Sequence, residues 1–311
     1  MALKQFLQNL FERVGLVETP LPPPQAADVA LVEPQNLRPI LLRLAAWGVN
    51  RVCLVAGESP DADDLVQGLR QAAELGIAAG VRGRASDLTV GKLLSQLATA
   101  GARDVEIPVL SAVAEVHDAL AGAGDCRSAL KALGELASLN LPPAAQLVLT
   151  PSTWKTIQRT LNMLDDCRLR EVRVWAVVCR DDEPASWALS AGQLSEAAVW
   201  IEAHAPRDMK IAWYPPLRFD PARTLAQQVR RGPRAAIDSV RIEADGGVLA
   251  PVGAAIAGGD VSQNDWKLIA RSDVFRDWKR RRAVAVRCEP CPGLAACASG
   301  CLRDEGNWSR E

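Results

Sequence analysis

Short apolar runs alternate with amphipathic segments from residue 27 to residue 214, and this alternation constrains the fold more than any other feature. A repeated run of strand length followed by a segment of helical periodicity is typical of a parallel sheet with crossover helices. The predicted class is therefore α/β, although periodicity alone does not separate a partial barrel from an open sheet. The sequence predicts strands at 27–33, 50–56, 77–82, 103–109, 145–150, 171–178 and 209–214. It predicts helices at 36–47, 61–75, 87–100, 125–138, 152–165 and 187–203.

Length, charge and cysteine content restrict the class of protein. The 311 residues suffice for one barrel plus a smaller module. Lys and Arg number 36 against 37 Asp and Glu, so neither nucleic acid nor an anionic membrane is favoured as a partner. The chain has eight cysteines and no recognisable secretory signal, which indicates a reducing compartment, so we expect a cytoplasmic protein. No apolar run has the length needed to span a bilayer.

The first 25 residues form a distinct segment. Residues 1–16 place apolar side chains at helical spacing but also carry Lys4, Glu12 and Arg13, which is typical of an amphipathic helix and not of a signal peptide. Residues 19–25 are a proline-rich, extended linker, so a domain should begin at residue 26. The helix would pack on its own domain, or act at a membrane surface or on a partner.

A run of four cysteines near the C-terminus, C-x2-C-x5-C-x3-C, predicts a metal site. A 4Fe-4S cluster needs one thiolate per iron and a zinc ion needs four tetrahedral ligands, so four cysteines in one loop satisfy either. The basic run at 279–282 just precedes them. It is a solvated helix end, a counter-charge for a thiolate-ligated cluster or a docking site for an acidic partner. The predicted metal ligands are Cys288, Cys291, Cys297 and Cys301.

The cysteine spacing resembles the SPASM extension of radical S-adenosylmethionine (SAM) enzymes. Residues 239–248 resemble the strand-turn-strand that precedes the cysteines in that extension, and residues 265–278 resemble its helical stretch. The resemblance continues upstream. Gly57 and Glu58 stand where the family has a Gly-Gly-Glu-Pro-type turn that contacts the amino group of SAM, and residues 115–130 resemble the stretch after the fourth strand. It implies a partial TIM-like β/α barrel at 26–232 and a SPASM-like module at 233–311.

The chain departs from the family at its catalytic centre. Radical SAM enzymes hold a cluster with C-x3-C-x2-C after the first strand, whereas the matching connection here, residues 33–37, has no cysteine. The remaining cysteines, Cys53, Cys126, Cys167 and Cys179, are too far apart to supply that motif. The resemblance therefore implies a barrel that has lost reductive SAM cleavage, with SAM an improbable cofactor. Glu58 and Gly57 remain as a vestigial SAM-contact turn.

The C-terminal module also lacks part of the pattern, because no cysteine follows Cys301 and the family's Gly-x4-Cys position ends at Pro251 or Val252. One site that uses all four thiolates is the simplest expectation; a 4Fe-4S cluster, zinc and an empty remnant all stay open.

Polar residues at the carboxyl ends of the strands are candidates to line the barrel mouth. His117, beside Asp118, is either a hydrogen-bonded structural histidine before a helix or a residue that orients a ligand. The dispersed cysteines are interpreted as packing residues. The mouth candidates are Glu33, Glu58, Asp61, Arg82, Arg84, Thr150, Ser152, Lys155, Arg180, Asp181, Asp182 and Tyr214.

Two functions from different classes are consistent with these features. The first is an accessory protein, catalytically degenerate, that partners an active radical SAM enzyme or a peptide substrate in peptide modification or cofactor maturation. The alternative is an iron-sulfur oxidoreductase or electron carrier with a substrate pocket at the barrel mouth.

Overall fold

A computed structural model describes residues 21–178, 189, 191–213, 217–218, 239–250 and 256–276. The predicted N-terminal helix, the basic run at 279–282 and the four-cysteine run lie outside the described residues, as do Cys179, Arg180, Asp181, Asp182 and Tyr214.

The described strands form one sheet in the order β10-β9-β1-β2-β3-β4-β5-β6-β7, and β8 pairs with the last residues of β6. All neighbouring strands are parallel except the β9–β10 pair. β7 and β10 stand at the two ends of this order, so the described sheet is open. The strands are β1 Ala26–Ala30, β2 Arg51–Val55, β3 Ala78–Arg82, β4 Val105–Pro108, β5 Pro143–Leu149, β6 Glu171–Val178, β7 Lys210–Trp213, β8 Leu217–Arg218, β9 Ser239–Ile242 and β10 Val248–Leu249.

Helices connect the parallel strands. They are α1 Pro34–Trp47, α2 Ala62–Glu74, α3 Ala85–Leu88, α4 Leu93–Thr99, α5 Ala114–Ala121, α6 Asp125–Ser138, α7 Pro151–Trp154, α8 Ile157–Asp166, α9 Ala191–His204 and α10 Trp266–Ile269. None of the helices in the described part of the chain is both long and apolar enough to cross a membrane.

Alternation along the strands produces two faces with different chemistry. Val29, Leu54, Val81 and Ile107 are fully buried and belong to one apolar core together with helix residues such as Leu41. Burying each such side chain stabilises the fold by about 1.5–3 kcal/mol. Successive strand residues point to opposite faces, so the residues between these apolar ones point to the other face of the sheet. We call that other face the inner face.

The seven strands predicted between residues 27 and 214 are all present, and the helix at 125–138 is correct to the residue. The predicted helix at 87–100 is wrong in part, because it is broken between α3 and α4, where Gly91 has φ +60. The predicted helix at 152–165 is likewise divided into α7 and α8. Hydrophobic periodicity did not predict α5. The resemblance of residues 115–130 to the family's stretch after the fourth strand indicated a helix there only in part.

Residues 239–250 continue the same sheet. β9 pairs with β1 in parallel, and the turn from β9 to β10 contains Gly246 at φ +87. Trp266 packs against Trp47 at the end of α1, with ring centroids 5.7 Å apart, and against Phe275 at 5.2 Å. Its Nε1 donates to the carbonyl oxygen of Leu21 at 3.1 Å. The end of the N-terminal linker is thus held by residues that come late in the chain.

Candidate functional site

Five polar side chains from five strands lie buried on the inner face. Each is at most 3% exposed, and each comes from a strand that is otherwise apolar, apart from Glu171 at the start of β6. Because ionised groups are rarely buried without a partner, such a set requires mutual pairing. The five are Asp28 on β1, Arg82 on β3, Glu106 on β4, Gln146 on β5 and Arg173 on β6.

These five side chains form a continuous network centred on Glu106. Arg82 Nη2 donates to Asp28 Oδ2 at 2.6 Å, and Arg82 Nε lies 3.3 Å from Glu106 Oε1. The same carboxylate accepts from Gln146 Nε2 and pairs with Arg173. A carboxylate held by two guanidinium groups and an amide favours its ionised form and fixes the geometry of the strands that carry them.

The network reaches the amino end of the sheet through Arg173. Its Nε donates to Glu171 Oε1 at 2.8 Å, and its Nη2 lies 3.3 Å from Asp104 Oδ2, which also pairs with Arg103 at 2.5 Å. The Asp104 side chain lies over β3 at Gly80, where a Cβ atom would stand only 1.9 Å from Asp104 Oδ1. Glycine is therefore required at position 80 for Asp104 to reach Arg173.

Sequence reasoning placed Arg82 at the mouth and did not single out Asp28, Glu106, Gln146 or Arg173. The structure corrects this, because Arg82 is buried with its guanidinium between two carboxylates. A charged or amide residue at alternate positions of an apolar strand was the signal that would have found the network.

The turn that the sequence resemblance predicts to be a vestigial SAM contact lies at the carboxyl edge of the sheet. Gly57 and Glu58 follow β2 and are exposed, as is Glu33, which follows β1 and accepts a hydrogen bond from Gln35 Nε2 at 2.6 Å. Parallel strands bring these connections to the same edge. The connection between β1 and α1 consists of Leu31, Val32 and Glu33 and holds no thiolate, so its residues do not fit the catalytic cluster that the resemblance implies.

Several other mouth candidates have local roles. Asp61 caps α2, because its Oδ1 accepts from the Asp63 N–H at 2.8 Å, and the buried Thr150 forms a capping box with Thr153 at α7. Burial, together with Asp61, Glu33 and Asp63, raises the pKa of Asp64 in the first turn of α2. Ser152 and Lys155 are exposed.

Arg84 belongs to a second polar cluster at the same edge. It follows β3, and its Nε lies 4.0 Å from Oδ1 of the buried Asp125 at the start of α6. Asp125 Oδ2 lies 3.2 Å from Nε2 of His117, whose Nδ1 accepts from the Leu110 N–H at 3.2 Å. His117 is buried and hydrogen-bonded, as the sequence predicted, and it lies within α5 and not before a helix.

Asp118, next to His117, caps the start of α6 from the preceding helix. Its two carboxylate oxygens accept from the backbone N–H groups of Cys126 and Gly124, each at 2.8 Å. The hydrogen bond from Cys126 is the main cause that lowers the pKa of Asp118, with a smaller contribution from Gly124.

The described cysteines are dispersed and buried to different extents. Cys53 and Cys126 are buried, and Cys167 is half-buried at the end of α8. Burial raises the pKa of the Cys126 and Cys167 thiols, which disfavours the reactive thiolate. Within the described ranges, no group of three or more His, Cys, Asp and Glu side chains is placed to hold a metal ion.

Solved structures share this architecture at low sequence identity. SuiB of Streptococcus suis bound to S-adenosylmethionine superposes with a TM-score of 0.65 at 14% identity, over 97% of this chain and 77% of that chain. SuiB bound to its precursor peptide SuiA gives a TM-score of 0.65 at 13% identity, with the same coverage. Native anSMEcpe with bound AdoMet and the Cp18Cys peptide gives 0.63 at 10% identity, over 90% of both chains.

SuiB and anSMEcpe are radical SAM enzymes, so the likeness supports a fold similar to the partial barrels of that superfamily. No protein-family model matches the chain, and no curated protein sequence matches it. At these identities the likeness concerns the fold, and it does not transfer the chemistry of either enzyme.

Proposed function

We propose that this chain is a catalytically degenerate radical SAM/SPASM-like protein that serves as an accessory subunit in peptide modification or cofactor maturation. The observation that carries the proposal is the connection between β1 and α1. In the family this connection supplies the three thiolates of the catalytic cluster; here it is three residues long and has none. The 311-residue sequence has no C-x3-C-x2-C motif at any other position.

The catalytic cluster supplies the electron that cleaves the sulfonium of SAM. A chain that cannot ligate it lacks the source of that electron, whatever else its barrel binds. What the barrel retains is a rigid sheet, a polar carboxyl edge and the exposed turn at Gly57 and Glu58. These are features of a binding surface, and weak binding of intact SAM at Glu58 is compatible with them.

A partner role agrees with what the similar structures bind. One SuiB structure contains the precursor peptide SuiA, and one anSMEcpe structure contains the Cp18Cys peptide. We therefore infer that the partner is an active radical SAM enzyme or its peptide substrate. The proposed division of the chain is an N-terminal segment at 1–25, a barrel at 26–232 and a module at 233–311; the cytoplasm remains the predicted location.

The proposal predicts that the isolated protein does not cleave SAM reductively. The purified chain, incubated anaerobically with dithionite and SAM, should give no more 5′-deoxyadenosine than a heat-treated control. Affinity capture after co-expression with neighbouring gene products should recover a catalytically complete partner. Formation of 5′-deoxyadenosine by the lone chain would refute the degenerate assignment. Conversion of a small molecule without a partner would favour the iron-sulfur oxidoreductase or electron carrier.

We further propose that Cys288, Cys291, Cys297 and Cys301 hold one metal centre, a 4Fe-4S cluster or alternatively zinc. Metal binding and folding are coupled in small cysteine modules, so changing one ligand to alanine should lower both metal content and stability.

Iron, sulfide and zinc analysis of anaerobically purified Cys291→Ala and Cys297→Ala proteins is the measurement for this site. Cys53→Ala is the matched control, because that thiol is buried within β2. Full metal content in both ligand variants would exclude the assignment, and zinc in place of iron would remove electron transfer from the functions considered.

A further inference from the structure

Arg84 is a largely buried arginine whose hydrogen-bonding capacity is not used within the described part of the chain. Its side chain is 25% exposed, and its closest polar contact there is the 4.0 Å approach of Nε to Asp125 Oδ1, which is too long for a hydrogen bond. Nε itself is buried and has no hydrogen-bond partner among the described residues. Asp125 Oδ1 also has no hydrogen-bond partner among the described residues, so these two buried atoms face each other across the 4.0 Å gap. The Nη groups of Arg84 are then the donors to which the described residues give no hydrogen bond.

The Arg84 guanidinium faces two buried side chains, Asp125 and, beyond it, His117. The side chain of Asp125 is only 1% exposed; one of its oxygens faces Arg84 and the other faces His117. Because His117 Nδ1 accepts a hydrogen bond from the Leu110 N–H, its Nε2 carries the ring proton and donates a hydrogen bond to Asp125 Oδ2. His117 therefore holds the Asp125 carboxylate, and the Asp125 carboxylate in turn orients the Arg84 guanidinium. This arrangement does not use all five N–H donors of Arg84.

The position of Arg84 leaves its outer end accessible. It lies two residues after the end of β3, at the carboxyl edge where open α/β sheets bind ligands. Gly122, at φ +113, lies beside the guanidinium, since a Cβ there would stand 3.5 Å from Arg84 Nη2. The neighbouring residue Gly83 packs against Ala56, so the Arg84 connection lies next to the turn at Gly57 and Glu58.

We propose that Arg84 binds an oxyanion at the carboxyl edge of the sheet, with Asp125 and His117 as positioning residues. The planar fork of a guanidinium matches the two oxygens of a carboxylate or a phosphate group, and a carboxylate or phosphate would satisfy the donors that the protein leaves unused. The ligand is therefore the carboxylate of a peptide or a phosphate group. This site does not depend on the cysteine run or on the loss of SAM cleavage.

The test is calorimetric titration of the full chain with two probes. One is inorganic phosphate, and the other is a short acetylated peptide with a free terminal carboxylate, compared with the same peptide as its amide. We expect binding of at least one anionic probe and none of the amide. Arg84→Lys keeps the charge but loses the fork, and should weaken binding about 10-fold or more, since a hydrogen bond to a charged group contributes roughly 1.5–3 kcal/mol.

Removing Arg84 alone would leave Asp125 buried without its cation, so the deletion is made as Arg84→Gln with Asp125→Asn. This double variant keeps a neutral polar pair and should fold, as checked by circular dichroism, yet lose measurable binding. Arg159→Gln, an exposed change on α8, is the matched control and should bind as the unaltered protein does. The proposal is overturned if neither anionic probe binds the unaltered protein, or if the folded double variant binds equally well.

Discussion

Asp118 illustrates how one side chain of this protein can organise a neighbouring element. Gly124 begins α6 at φ +78 and offers no side chain to cap it, so the first N–H groups of the helix need an external acceptor. Asp118 supplies both carboxylate oxygens from the end of α5. The same hydrogen bonds lower its pKa, because they stabilise the ionised form.

Replacing Asp118 with alanine should therefore lower the free energy of unfolding by about 1 kcal/mol near neutral pH. The folded-state pKa is depressed below 3.8, so this stabilisation is complete above that pH and is lost as the pH falls through the folded-state pKa. Urea unfolding at several pH values measures the difference between the two proteins. Asp208→Ala, an exposed change, is the control. A difference that stays constant into the acid range would contradict the capping role.

For single residues, the sequence indicated which polar side chains belong to clusters, but it did not indicate where in the fold those side chains lie. It identified Arg82 and Arg84 as candidates, and both belong to polar clusters. It did not show that Arg82 is buried between Asp28 and Glu106, because a strand residue's partners come from other strands and are distant in the chain. Asp125, at the start of α6, was missed because its contact with Arg84 joins parts of the chain that are distant in sequence.

At the scale of elements, strands were predictable because each parallel strand is buried on its helix-covered face and leaves an apolar run in the sequence. The breaks inside the predicted helices could not be predicted from the sequence. The α3–α4 break depends on four residues that include Gly91, and the α7–α8 break follows Trp154, where Thr156 Oγ1 donates to the Thr153 carbonyl at 3.0 Å. Local hydrogen bonds of this kind compete with the helix without changing its apolar periodicity.

Gly80 lies within β3, where glycine is normally unfavourable, yet the contacts of a neighbouring strand require it. Glycine inside a strand loses packing and costs conformational entropy. On β3 it makes room for Asp104, and any larger residue would push that carboxylate away from Arg173. The glycine is thus explained by the next strand and by β6, and not by β3 itself.

At the scale of the whole molecule, the inner-face network joins β1, β3, β4, β5 and β6 and extends to the start of β4 through Asp104. A partial barrel is open on one side, so its strands are not tied by closure. Ionic contacts between strands one or two positions apart in the sheet replace that constraint on the inner face, while the helices pack on the other face. Such a sheet can stay rigid without a cofactor on its inner face.

Glu106 is the member of the network whose loss should cost most. Glu106→Gln keeps the shape but removes the charge that Arg82 and Arg173 share. Removing one partner of a buried ion pair costs about 3–5 kcal/mol; because Arg82 keeps Asp28 and Arg173 keeps Asp104 and Glu171, we expect about 3 kcal/mol.

Denaturant unfolding measures the cost of Glu106→Gln against a matched change in an exposed pair. Glu74 pairs with Arg38 at 2.7 Å, but both side chains are about half exposed, so Glu74→Gln should cost no more than about 1 kcal/mol. The double variant Glu106→Gln with Arg173→Met should lose less free energy of unfolding than the two single variants together. Each single change leaves the other charge buried without its partner, and the double change removes both charges. Equal costs for Glu106→Gln and Glu74→Gln would mean that the network does not hold the sheet together.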